Sequence, residues 1–128
     1  MIAAETYAET WDWGGLKGRF ATIDYADSLC GYEWDEFHVL RGADGHLYVG
    51  EDGGCSCNSF SEVDPASFVR VASWQEAADK AQGWAKEEGD WSEERRLPVA
   101  MSLIERLAQK RPAPFVQIDP RNPFGGAA

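Results

Sequence analysis

The chain has no run of about 18 or more apolar residues, the length that a membrane-crossing helix needs. Its first residues, Met-Ile-Ala-Ala-Glu-Thr, show no basic segment followed by an apolar one, so neither secretion nor membrane insertion is expected. Cysteine is scarce and odd in number: three in 128 residues, unlike the dense, even sets of disulfide-stapled secreted modules. A reducing cytoplasm is the expected location. Positive charge is short as well. With 12 Lys and Arg against 22 Asp and Glu, the net charge is −10, which disfavours direct binding to nucleic acid or anionic lipid. Also missing are Gly-x-Gly-x-x-Gly after a strand, Gly-x-x-x-x-Gly-Lys-Ser/Thr, His-Glu-x-x-His and Gly-x-Ser-x-Gly. Those absences remove the usual signatures of dinucleotide, phosphate-loop, zinc-protease and serine-hydrolase chemistry. No enzymatic activity is expected.

What the chain does have is aromatic mass: six Trp, six Phe and four Tyr within a 44% hydrophobic composition. That argues for a packed globule, and the length suits one domain burying roughly two thirds of its unfolded surface. The acidity is uneven. Residues 1–89 carry 17 acidic and 6 basic side chains, whereas residues 90–128 carry 5 and 6. An acidic front can be a solvated surface, or a face that competes with nucleic acid for a basic groove on another protein.

Residues 1–18 show neither strand nor helix period and read as an irregular arm. Residues 19–111 form a single α+β domain, and the Pro- and Gly-rich residues 112–128 form a tail. Within the domain, residues 19–25 alternate as a half-buried strand, with Phe20, Thr22 and Asp24 on one side. Two further strands flank Ala43-Asp44-Gly45. If those three residues are the loop and Gly45 takes the left-handed conformation, paired residue numbers sum to 88. Phe37, Val39, Leu47 and Val49 then share a dry face, and Glu36, His38, Leu40, His46, Tyr48 and Asp52 a polar aromatic one. Gly53 and Gly54 are expected to bend the chain out of the ladder, and residues 67–72 suit a further short strand.

Ser73 with Glu76 is a capping-box signal, and Trp74, Ala77, Ala78, Ala81, Trp84 and Ala85 follow at helical spacing. Gly89 is the expected stop. Pro98 is the expected start of a second helix, with Ala100, Leu103, Ile104, Leu107 and Ala108 as its stripe. The fold expected is a small antiparallel sheet of three to four strands with two C-terminal helices packed on one face. Arg95, Arg96, Arg106, Lys110 and Arg111 are expected to pair with the acidic front or with a partner protein.

Candidate binding residues are His38, His46, Tyr48, Glu51 and Asp52, on or beside the polar aromatic face. Cys55 and Cys57, with Cys30, His38 and His46, contain enough soft ligands for a tetrahedral zinc, the one cofactor the sequence suggests. Against zinc, Cys-x-Cys is a tight bite and no second pair has finger spacing. A disulfide from Cys30 to Cys55 or Cys57 and small buried thiols are the alternatives. A cysteine nucleophile is disfavoured, because Glu51, Asp52 and Glu62 raise a thiol pKa. The acidic set Glu33, Asp35, Glu36, Glu51 and Asp52 lacks a cation-loop pattern and reads as a solvated rim.

Residues 32–60 resemble a set of small uncharacterised proteins from phages of actinobacteria. The resemblance rests on Tyr32, Trp34, Phe37, Val39, Asp44, Gly45, Leu47, Tyr48, Asp52, Gly54, Cys55, Ser56, Cys57 and Phe60. It implies a phage or prophage origin and no established activity; Cys30 is not part of the pattern. The functional expectation is an accessory protein that binds a host or phage protein, for instance to inhibit a nucleic-acid-binding or defence factor. A virion or assembly component and a small structural zinc-binding module are the alternatives.

Overall fold

A computed structural model describes residues 6–7, 20–29, 31–58, 60, 63–87 and 93–113. Five antiparallel strands lie in sequence order: β1 (Thr6–Tyr7), β2 (Phe20–Asp27), β3 (Glu33–Gly42), β4 (Leu47–Cys55) and β5 (Val69–Val71). Two helices follow, α1 (Trp74–Ala85) and α2 (Glu93–Lys110). This is the expected α+β arrangement. The N-terminal segment contributes one strand more than expected, since Thr6 and Tyr7 pair with Thr22 and Ala21.

The β3–β4 hairpin takes the register argued from its loop. Arg41 stands opposite Leu47, Val39 opposite Val49 and Glu33 opposite Cys55, each pair summing to 88. Gly45 sits at φ 86°, and the Gly42 N–H donates to the His46 carbonyl at 2.9 Å. The ladder does not break at Gly53 and Gly54, which pair with Asp35 and Trp34 inside β4. Neither has a positive φ. Gly54 serves close approach instead, because a Cβ there would collide with the Asn58 amide and the Trp34 indole.

β2 departs from simple alternation. Thr22 stands opposite Leu40 and Asp24 opposite Val39, leaving Ile23 as an extra residue. A bulge of this kind shifts the side-chain phase. Thr22 and Asp24, expected on one side, therefore point to opposite faces.

On one face Phe37, Val39, Leu47, Val49 and Val71 meet the alanine stripe and Trp84 of α1, and Ala100, Leu103 and Leu107 of α2. The small alanines let α1 lie close on the sheet, and each buried Leu contributes about 1.5–3 kcal/mol. Ser73 caps α1 by accepting from the Glu76 N–H at 3.2 Å, while Glu76 Oε1 accepts from the Ala72 N–H. The return bond of the capping box thus reaches one residue further back than expected. Lys86 is the C-cap; Gly89 lies outside the described residues.

The opposite face is not the open polar surface expected of it. Trp34, Leu40, Phe60, Val63 and Phe68 form a second buried cluster there, with Phe20 and Tyr48 against it. The connection between β4 and β5 supplies three of these five and covers the sheet: Phe60 and Val63 come from residues 58–66, expected to be plain loop, and Phe68 from the residue before β5, expected to be strand.

α2 begins at Glu93, not at Pro98, which stands inside it. Proline costs about 3 kcal/mol in a helix interior. The turn before it is held by other means. Arg96, 8% exposed, grips Asp35, 1% exposed, through Nε–Oδ2 at 2.7 Å and Nη2–Oδ1 at 2.9 Å. Its Nη1 also donates to the Trp84 carbonyl at 2.7 Å, and the guanidinium lies over the Trp84 ring. Ser28 Oγ donates to Asp35 Oδ2 at 2.7 Å, completing the carboxylate's shell. Asp35 is thus a core anion, not part of a solvated rim. Along α2, Arg106 and Lys110 both bind Asp24, at 2.9 and 2.8 Å, so three of the five basic C-terminal side chains, Arg96 included, form ion pairs with the acidic front, whereas Arg111 donates to the Ala108 carbonyl of α2.

Arg96→Ala is expected to cost about 3–5 kcal/mol in urea unfolding, since it strands a buried carboxylate. The double change Asp35→Leu with Arg96→Met is expected to cost clearly less, because neither charge is then left alone.

Candidate functional site

The sequence-derived binding residues do not form one site. His38 lies in the second core, 2% exposed, between the Phe60 ring at 3.6 Å and the Tyr25 ring at 5.0 Å. Its Nε2 meets Glu36 Oε1 at 2.7 Å and its Nδ1 meets Thr22 Oγ1 at 3.3 Å. Burial lowers its pKa against the opposing pull of Glu36, so the ring stays neutral and its contribution to stability falls away as pH drops below 6.5. Tyr48 and His46 belong to the hairpin tip. The Tyr48 hydroxyl and the His46 N–H both donate to the Asp44 carboxylate; although burial raises that group's pKa, these bonds hold it below its ordinary value. Asp52 is exposed and accepts from the Gly53 N–H at 2.8 Å.

The candidate zinc set does not assemble among the described residues. Cys55 and Cys57 form a disulfide with each other. Asn58 shapes that turn: its Oδ1 accepts from the Cys55 N–H at 3.1 Å and from the Trp34 indole at 3.3 Å. Folding back in this way sets the two Cα atoms 5.4 Å apart, within the span a disulfide bridges. His38 pairs with Gly50, five residues up the ladder from Cys55, or about 17 Å away along the strand. Cys30 lies outside the described residues.

Glu51 is separated from the other candidates by parity. It projects from the helix-covered face of β4 and lines a groove of about 780 Å³ between β4, β5 and α1. Phe37, Val49, Val69 and Trp84 supply its apolar floor, and Glu51, Glu76, Asp79 and Glu87 its acidic border, with Lys80 the one cation among the lining residues. Loss of water on the groove side, then the charge of Glu87 and a hydrogen bond with it, push the Glu51 carboxyl up to about 7. The Glu51 carboxyl therefore holds its proton to near neutrality, with Glu87 against it. Arg96 reaches Glu87 only at 3.4 Å, its short contacts being made to Asp35 and Trp84.

No family model, curated protein or solved structure matches this chain. The site must therefore be read from its chemistry. A carboxyl pair over an apolar floor suits a cation carried on an aliphatic stem, such as a Lys or Arg side chain. Of the groove, sequence reasoning singled out Glu51 alone. A signal for the rest existed: from Glu76 through the adjacent Asp79 and Lys80 to Gly83 and Glu87, steps of three and four follow one border of the α1 apolar stripe.

Because the folded-state pKa of Glu51 is raised, deprotonation opposes folding as pH rises from about 4.5 to 7. Glu51→Gln is accordingly expected to raise the melting temperature at pH 8 and to leave it unchanged near pH 4. Thermal melts of both proteins across that range check this.

Proposed function

We propose that the protein acts by binding a basic segment of another protein. The observation that carries this reading is the groove between α1 and the β4–β5 edge, where four carboxylates and one lysine border an apolar floor. Loss of water, and then the charge of Glu87 beside it, keep the Glu51 carboxyl protonated to about pH 7. An incoming cation relieves that crowding, and the net charge of −10 favours its approach over long range. The resemblance of residues 32–60 to actinobacteriophage proteins supplies the biological setting: an accessory protein directed at a host nucleic-acid-binding or defence factor, whose surface is rich in Lys and Arg. No catalytic step is assigned to it.

With the full chain immobilised in host lysate, the expected result is a discrete bound protein whose yield falls steeply between low and high salt. Glu51→Gln with Glu87→Gln is expected to weaken that binding about tenfold, the size of one charge-assisted contact. Capture that does not respond to salt would sink the electrostatic reading.

A further inference from the structure

Among the described residues, β4 is paired on both sides only over its first three residues. β5 stands opposite Leu47, Tyr48 and Val49, whereas β3 accompanies β4 down to Cys55. The reason lies just before β5. Phe68 turns into the second core across Gly50, where a Cβ would collide with its ring. The preceding residues, Pro65–Ser67, form a 3₁₀ turn closed by the Ser67 N–H on the Asp64 carbonyl at 2.9 Å. Among the described residues, no strand flanks residues 51–53 of β4 on that side.

In an antiparallel ladder, successive residues turn their N–H and C=O groups to opposite neighbours. Gly42 and His46 are a bonded pair, so Tyr48, Gly50 and Asp52 bond across to β3. The backbone groups of Glu51 and Gly53 consequently face the open side. Among the described residues, the Gly53 N–H has a local acceptor alone, the Asp52 carboxylate. Cys55, next in the series, is already engaged: its N–H by Asn58 Oδ1 and its carbonyl by the Trp34 indole and the Asn58 N–H. The open stretch is short, with Phe68 at one end and the Asn58 turn at the other. Beside it lie the groove and Val69, which is 50% exposed.

We infer that residues 51–53 of β4 accept an extended basic segment of a partner protein as an added strand, with one of its Lys or Arg side chains entering the groove toward Glu51 and Glu87. This deepens the proposed function and rests on it. Strand addition draws affinity from main-chain bonds and specificity from side-chain pockets, and both are present at this edge. Charge decides the occupant. A second copy of the chain would set Glu51 and Asp52 against like charges, whereas a Lys- or Arg-bearing strand meets them with opposite ones.

The test uses the full chain, isotopically labelled for NMR, and a capped synthetic heptapeptide, Thr-Lys-Val-Lys-Val-Lys-Thr. Two further versions are N-methylated on one or the other alternate set of amides. Binding is expected to shift the Glu51 and Gly53 amides and slow their hydrogen exchange. One methylated version should bind like the parent and the other about tenfold more weakly, because only one set of amides faces β4. Glu51→Gln with Glu87→Gln should weaken the parent peptide while leaving the same two amides affected. Equal binding by both methylated versions overturns strand addition and leaves the basic-partner reading standing. Failure of all three peptides, in a chain that still captures a partner salt-sensitively, overturns this site alone. Loss of both results sinks the wider reading too. Self-association through these amides, seen by sedimentation without peptide, would assign the edge to a second copy and overturn the inference.

Discussion

The bidentate contact between Asp35 and Arg96 holds the other parts in relation to one another. Two charges taken out of water are costly to bury and far more costly to separate, so each needs a complete set of partners. Asp35 has Ser28 and both arms of the Arg96 fork; Arg96 has Asp35, the Trp84 carbonyl and the Trp84 ring face. In one cluster, therefore, the centre of the sheet, the end of α1 and the first turn of α2 are tied together. The neighbouring Arg95 donates to the Ser28 carbonyl and fastens the same connection. This is what lets α2 start a turn ahead of Pro98, and it brings Glu87 close to Glu51.

Charge elsewhere follows the same rule of pairing where it is buried and crowding where it is not. At the β2 bulge, burial would raise the Asp24 pKa, but Arg106 and Lys110 hold it below its ordinary value. Along the groove, among the described residues, no comparable cations face Glu51 and Asp79, and Arg96 spends its short contacts on the core. The contrast separates carboxylates that serve the fold from those left available for another molecule.

The second core explains why, among the described residues, β5 accompanies β4 only over Leu47–Val49. Phe60, Val63 and Phe68 come from the connection between β4 and β5, and they fold over Trp34, Leu40 and the ring of His38. To fill that face the connection must leave the plane of the sheet, and β5 can rejoin only at Val69. Covering one face thus leaves an edge open beside the other.

Local chemistry determined a good part of this protein. The Ala43-Asp44-Gly45 loop set the β3–β4 register because a one-residue slip would move Phe37, Val39, Leu47 and Val49 to the wrong face. Ser73, Glu76 and the alanine stripe specified α1, and the scarcity of Lys and Arg specified an acidic surface. Tertiary structure alone decided which of the many carboxylates would be buried, which would be paired and which would crowd. Asp35 and Glu51 look alike along the chain, but packing opposed one to Arg96 and the other to Glu87. Tertiary structure also decided that His38 would be stacked and enclosed, since Phe60 lies 22 residues beyond it, and that the open edge would fall at residues 51–53. Periodicity reports which face a side chain takes; only the folded chain determines what covers that face, and hence whether a group is core or site.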